Sequence, residues 1–291
     1  MNRNAHSSFV RKLDLIATYD KRHLLYDRPF IQTYVNLSAK EDFSSQAKSI
    51  TRQGEELANA VYKKFDGFID GIESFNFIKY PNAYNQATWG RHDGCYSPIS
   101  ISNAKNANIQ REKNIAKALF NIGKCSCENI LLAKQALLHN IGEIKDYETP
   151  LNYASSRNID LISVRAGKLY ILELKKRNSR ETLLRCLLES YTYSRLADRS
   201  RLKESFGLGQ NAPICICPLI FDDSAAFQEL TAITKNAKSK EGSSLFKLVK
   251  RIREYEGEHF DVRFAVIETK RFIQALRSDR KGKAFDLAWL Q

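Results

Sequence analysis

The stretch Ile159-Asp-Leu-Ile-Ser-Val-Arg-Ala-Gly-Lys-Leu-Tyr-Ile-Leu-Glu-Leu-Lys175 decides the fold of this chain. Two apolar runs, 159–164 and 168–174, flank Ala166-Gly167, where a tight turn joins them into a β-hairpin. Side chains alternate faces along a strand, so Glu173 and Lys175 share one face while Leu174 turns into the core between them. Antiparallel pairing returns Asp160 to the Glu173–Lys175 end. The expected product is two carboxylates and an ammonium clustered at the edge of an otherwise apolar sheet. Such a set suits metal-dependent hydrolysis of a phosphodiester. Hard oxygen ligands hold a divalent cation, and the cation activates water and relieves charge on phosphate and leaving oxygen.

Working outward, Arg111 to Phe120 and Glu128 to Leu138 read as helices, and Ile141 to Leu151 as a strand before the hairpin. Ser179 to Ala197 reads as a helix with Leu183, Leu184, Leu187, Leu188 and Tyr191 on one face. A buried strand over 213–221, helical material over 223–256, a last strand Asp261 to Thr269 and a short closing helix follow. This order predicts an α/β fold with a mixed central β-sheet flanked by helices. The part before residue 105 differs. Ser44 to Ile72 has helical spacing of its apolar residues, weakened by Gly54 and Gly67, and 76–106 is rich in Asn, Ser, Gly and Pro. The expected division is an α-rich, partly irregular N-terminal extension over 1–105 and a domain over 106–291 that carries the hairpin. No internal repeat or low-complexity segment interrupts it.

Asp160, followed after a short hairpin by Glu173-Leu174-Lys175, resembles the signature of the PD-(D/E)xK nuclease superfamily. Restriction endonucleases, repair nucleases and RecB-like exonucleases share that fold. The family's proline before the aspartate is Ile159 here. RecB-like members carry Gln-x-x-x-Tyr on the helix after the lysine strand. This chain has Glu189-Ser-Tyr-Thr-Tyr193, with Glu in place of Gln. In organisation the resemblance spans roughly Arg111 to Thr269.

The resemblance implies a restriction-endonuclease-like core in which Asp160 and Glu173 hold Mg²⁺ or Mn²⁺, with the Leu174 backbone carbonyl as a third protein ligand. It implies that Lys175 orients or deprotonates the attacking water, or stabilises the transition state. Glu112, on the helix before the sheet, is the expected additional acid. Glu128 and Glu148 are alternatives more readily read as solvated. Glu189 and Tyr193 would support the site. Glu181, Arg185 and Glu189, spaced four apart, otherwise read as surface ion pairs, Glu181 above all. The plain alternative for the central trio is a salt bridge at a sheet edge, which contributes little. On the catalytic reading, Lys175→Ala and Asp160→Asn each abolish cutting and leave the fold largely in place.

Composition agrees with a polyanion as partner. The chain of 291 residues carries a formal charge of +13, with a pI of about 9.4. Such an excess draws nucleic acid first, DNA rather than RNA on the family reading, and membrane surfaces second. The cations cluster at Arg195, Arg199, Arg201 and Lys203, at Lys235 to Lys250 and at Arg271 to Lys283. No apolar run approaches membrane-span length, and Met1 to Ser8 lacks an apolar signal segment, so a cytoplasmic protein that binds no membrane is expected.

Six cysteines, at 95, 125, 127, 186, 215 and 217, lack zinc spacing, and neither disulfides nor zinc are expected. No phosphate loop and no serine-hydrolase elbow is present. The expected function is that of a Mg²⁺-dependent deoxyribonuclease. Its extension is available to bind DNA, to form a homodimer or to shape a substrate channel. The alternative is a catalytically inactive nucleic-acid-binding protein with the same fold.

Overall fold

The computed structural model describes residues 47–70, 72, 112–124, 141–150, 158–234, 242–270 and 272. The expected helix over Glu128 to Leu138, the segment 76–106, Cys95, Cys125, Cys127 and the chain beyond 272 lie outside them. In order, the elements are α1 (Ala47–Lys63), α2 (Glu112–Lys124), β1 (Glu143–Pro150), β2 (Asn158–Arg165), β3 (Lys168–Leu174), α3 (Leu183–Leu196), α4 (Arg199–Ser205), β4 (Ile214–Phe221), α5 (Ala225–Thr234), α6 (Ser244–Glu256), β5 (Phe260–Val262) and β6 (Ala265–Ile267). The helical pattern of α1 resumes over 65–70. No helix among the described residues is long and apolar enough to cross a membrane.

The hairpin forms as expected. Arg165 lies opposite Lys168, and Ala166 and Gly167 turn the chain with φ of 47° and 72°. Two consecutive positive φ values match the twist of the flanking strands, but an alanine there is strained. Asparagine tolerates this region far better, so Ala166→Asn is expected to stabilise the fold by roughly 0.5–1 kcal/mol. Urea unfolding reads the gain.

The sheet is mixed, in the order β1-β2-β3-β4-β5, with β6 also on β4. β1, β2 and β3 form an antiparallel meander, and β4 pairs in parallel with β3, β5 and β6. The single strand expected over 261–269 is two short ones, broken at Arg263 and Phe264.

Pro218 of β4 supplies the reason. Ile214 N–H donates to His259 O, and Ile216 O accepts from Arg263 N–H, so even-numbered residues of β4 turn their polar backbone toward β5 and β6. Stepping two residues along both strands, the absent Pro218 N–H would have met Arg263. A central strand tolerates proline only where its partner breaks, and here it does.

Each face of the sheet is covered. Leu57, Val61, Phe65 and Phe68 of the α1 region join Leu187, Tyr191, Leu248 and Ile252 over Ile171 and Ile216. Ile115, Leu119 and Phe120 of α2 pack over Tyr147, Leu172 and Cys217 on the other face. The segment before residue 105 thus supplies α1 to a core shared with the sheet. Cys215 and Cys217 line the second core as small apolar side chains.

Helix termini are anchored by side chains from distant segments. Glu55 of α1 accepts from the Ser243 hydroxyl and the Ser244 N–H at the start of α6. Glu229 of α5 accepts from Leu183 N–H at the start of α3, 2.9 Å away. The helix expected from Ser179 begins instead at Leu183, capped by Thr182, whose hydroxyl accepts from Arg185 N–H. Ser179 is committed to the preceding turn, where its carbonyl accepts from Ala225 N–H at 2.8 Å. Arg195 and Arg199, expected on an open basic surface, turn inward to the Glu256 carboxylate at 3.3 and 2.6 Å, and Glu256 also accepts from the Tyr191 hydroxyl.

Candidate active site

The hydrogen-bonded ladder between β2 and β3 ends at Leu161 opposite Leu172. The next residues in register are Asp160 and Glu173, where the ladder stops. The Asp160 carboxylate then takes the role a strand carbonyl would have had, accepting from Leu174 N–H at 2.9 Å through Oδ2. In a strand, N–H and C=O of one residue face the same side, so the Leu174 carbonyl looks toward Asp160 as well. Lys175 N–H is fixed from the other side by Leu219 O.

β3 lies inside the sheet with α3 across one face, and this changes the setting of the trio. Glu173 is 4% and Lys175 2% exposed, so the cluster is buried and is not an edge salt bridge. The Lys175 ammonium donates to Glu173 Oε1 at 2.9 Å and to Glu189 Oε2 at 2.8 Å, and lies 3.4 Å from Glu181 Oε2. Its three donors thus face three carboxylates. The Tyr193 hydroxyl donates to the other oxygen of Glu189 at 3.3 Å. Arg185 closes a ring of alternating charge, 3.1 Å from Glu181 and 3.8 Å from Glu189. Glu112, in the first turn of α2, accepts from Lys176 N–H at 3.3 Å.

Asp160, Glu173, Leu174, Lys175, Glu112, Glu189 and Tyr193 therefore gather at one end of β3. Two further residues join them. Glu181 was expected at the surface and is instead partnered with Lys175, and Arg185 faces the same carboxylates. Their four-residue spacing from Glu189 was the available signal, but it does not tell which side the helix buries. Glu148 is neither solvated nor in the centre. With φ of 51°, it binds Lys113 at 3.3 Å and the Asn158 side chain at 3.0 Å, joining α2 to β2. Glu128 lies outside the described residues.

The electrostatics are those of a centre short of positive charge. Fully ionised, five carboxylates (Glu112, Asp160, Glu173, Glu181, Glu189) would face two cations (Lys175, Arg185), an excess of three negative charges. Burial raises the Asp160 carboxyl to about 8, with the Glu112 and Glu189 charges adding to it against Lys175 and the Leu174 N–H. Burial and the neighbouring Asp160 charge push Glu173 well above the ordinary carboxylate range. Glu112 is raised as well, mainly by burial. Glu189 goes the other way, because Lys175 and Arg185 outweigh its burial. Burial alone would depress Lys175, but the surrounding carboxylates hold its ammonium well above the usual lysine range. Lys175 is thus a permanent cation at neutral pH, with Glu189 as its ionised partner, and Asp160 and Glu173 compete for a proton.

Asp160, Glu173 and the Leu174 carbonyl are hard oxygen donors of the kind a small divalent cation takes. Glu173 Oε2 is buried among the carboxylates of Asp160 and Glu189, with no cation among the described residues upon it, and its proton is shared with those neighbours. Among the described residues no group of three His, Cys, Asp or Glu side chains is placed to hold a metal ion, so a cage built from side chains alone is not formed. Mg²⁺ does not require one, since one or two carboxylates with water and substrate phosphate suffice. No family model, curated protein or solved structure matches this chain.

Proposed function

We propose that this protein is a Mg²⁺- or Mn²⁺-dependent nuclease that hydrolyses phosphodiester bonds in DNA, built on a PD-(D/E)xK-type core. The observation that carries the reading is the buried centre at the end of β3. There, two carboxylates that cannot both ionise comfortably stand beside a lysine that stays charged. Asp160, Glu173 and the Leu174 carbonyl would hold the cation, which supplies an activated water and charge relief on the phosphate.

The chain's own residues do the rest. Lys175, held by Glu173 and Glu189, acts as a fixed positive charge that orients water and stabilises developing negative charge; it is not a general base. Glu189, braced by Tyr193 and Arg185, keeps the ammonium in place. Glu112 adds an acceptor from α2 on the side of Lys176.

Asp160→Asn is the cleanest test. The asparagine is isosteric with a protonated aspartic acid, and its carbonyl can still accept from Leu174 N–H, so the fold should persist. Linear and circular DNA, single- and double-stranded, are incubated with Mg²⁺, Mn²⁺ or EDTA. The expected result is metal-dependent cutting by the parent protein and its loss, by roughly 10³-fold or more, in the variant. Binding without cutting by the parent protein would move the reading to an inactive nucleic-acid-binding protein. Equal cutting by both would remove Asp160 from the site.

A further inference from the structure

The opposite end of the sheet gathers a second set of charges, of the other sign. Asp261 of β5 is met by Arg263 at 2.8 Å, by Arg253 of α6 at 2.9 Å and by Lys168 of β3 at 3.9 Å. Arg165 lies directly across the hairpin from Lys168 and is exposed. Ser163, Tyr170, Cys215 and Asp261 lie opposite one another in one row of the sheet, and Arg165, Lys168 and Arg263, each two residues from a member of that row, share its face.

Three cations thus meet one carboxylate, and a fourth, Arg165, stands across the hairpin beside Lys168. Arg253 and Arg263 take one Asp261 oxygen each, and their side chains remain about half exposed, at 47% and 54%. The nearby Glu143 is already bound to Lys145 at 2.6 Å. Like charges held this close repel one another unless something outside the described residues compensates them. Asp261 also fixes the orientation of two guanidinium groups, which prepares them to bind planar or bidentate oxyanions.

We infer that the hairpin end of the sheet, formed by Lys168, Arg253 and Arg263 around Asp261 with Arg165 across the hairpin from Lys168, is a contact surface for the phosphodiester backbone of nucleic acid. It lies about 23 Å along β3 from the carboxylate centre, taking seven residues of strand rise. Phosphates repeat at regular intervals along a nucleic acid and can meet several fixed guanidinium groups at once. The choice of nucleic acid over other polyanions rests on the nuclease reading above; the existence of an anion-binding surface does not.

The test is binding, measured in EDTA so that cleavage plays no part. Anisotropy of a short fluorescein-labelled DNA duplex is followed with the full chain across a salt series, for the parent protein and for Arg165→Ala/Arg263→Ala. Both side chains are exposed, and a thermal melt confirms folding. If the double variant fails to fold, each single variant is used. The expected result is a fall of about two in the slope of log affinity against log salt, about one per cation, and at least about ten-fold weaker binding at low salt. Unchanged slope and affinity overturn the inference. So does a parent protein that binds anionic phospholipid vesicles and no DNA. Loss of binding in the variant with no cutting by the parent would leave this surface standing and sink the nuclease reading alone.

Discussion

Lys175→Ala is expected to lower metal-dependent cleavage by at least about 10³-fold and also to destabilise the fold by roughly 3–5 kcal/mol. The second effect follows from burial. An exposed lysine would leave little behind, but Lys175 is enclosed, and its removal leaves Glu173 without its cation and Glu181 and Glu189 with Arg185 alone. The expectation from sequence, that this variant keeps its fold, therefore changes. Urea unfolding beside a cleavage assay separates the two effects. Lys175→Met/Glu189→Gln, which removes one charge of each sign, should recover much of the stability and none of the activity. Cleavage near the parental rate in the single variant would end the catalytic assignment. Unchanged stability would show that the ammonium is not paired inside the fold.

The second large effect is a loss of stability as pH rises from about 4.5 to about 8, centred on Glu229. This carboxyl is 4% exposed among α1, α3 and α5, and its Oε1 has no hydrogen-bond partner among the described residues. Burial, helped by the Glu55 charge, raises it to about 8 against the opposing Leu183 N–H. The folded protein thus holds its proton after the unfolded chain has released it. Stability contributed this way is intact below the unfolded value near 4.5, falls as pH rises, and levels off above about 8. The full loss is on the order of 5 kcal/mol.

Glu229→Gln still accepts from Leu183 N–H and cannot ionise, so it should gain roughly 2–3 kcal/mol at pH 8 and little at pH 5. Asp160 shifts in the same direction and adds to the decline. Mn²⁺ should restore its share at pH 8 by displacing the proton, while Glu229 stays indifferent to metal. A variant no more stable than the parent at pH 8 would show that Glu229 is ionised and satisfied there.

The sequence made the meander and the cluster legible because their signals are local. Ala166-Gly167 sets the turn, strand alternation puts Glu173 and Lys175 together, and antiparallel pairing returns Asp160 to them. What it left open depends on packing between distant segments. Nothing local says that α3 covers β3, so the ion pairs of Glu181 and Arg185 read as surface features. Nothing near Arg195 and Arg199 announces Glu256, about sixty residues on, as their partner. The division of the last strand depended on Pro218, more than forty residues earlier, and on knowing that β4 would pair with it.

The parallel half of the sheet also bears on how the protein reaches this state. β1, β2 and β3 can zip together through short connections. β4 joins β3 only after the chain has travelled from Leu174 to Ile214, and the order of assembly is limited by closing that loop. The charged centre takes parts from α2, β2, β3 and α3, so it cannot assemble before the chain has been made to about Leu196. During synthesis the carboxylates of α2, β2 and β3 thus emerge ahead of Arg185, the second cation that balances them, and the centre stays electrostatically unfinished until α3 has followed.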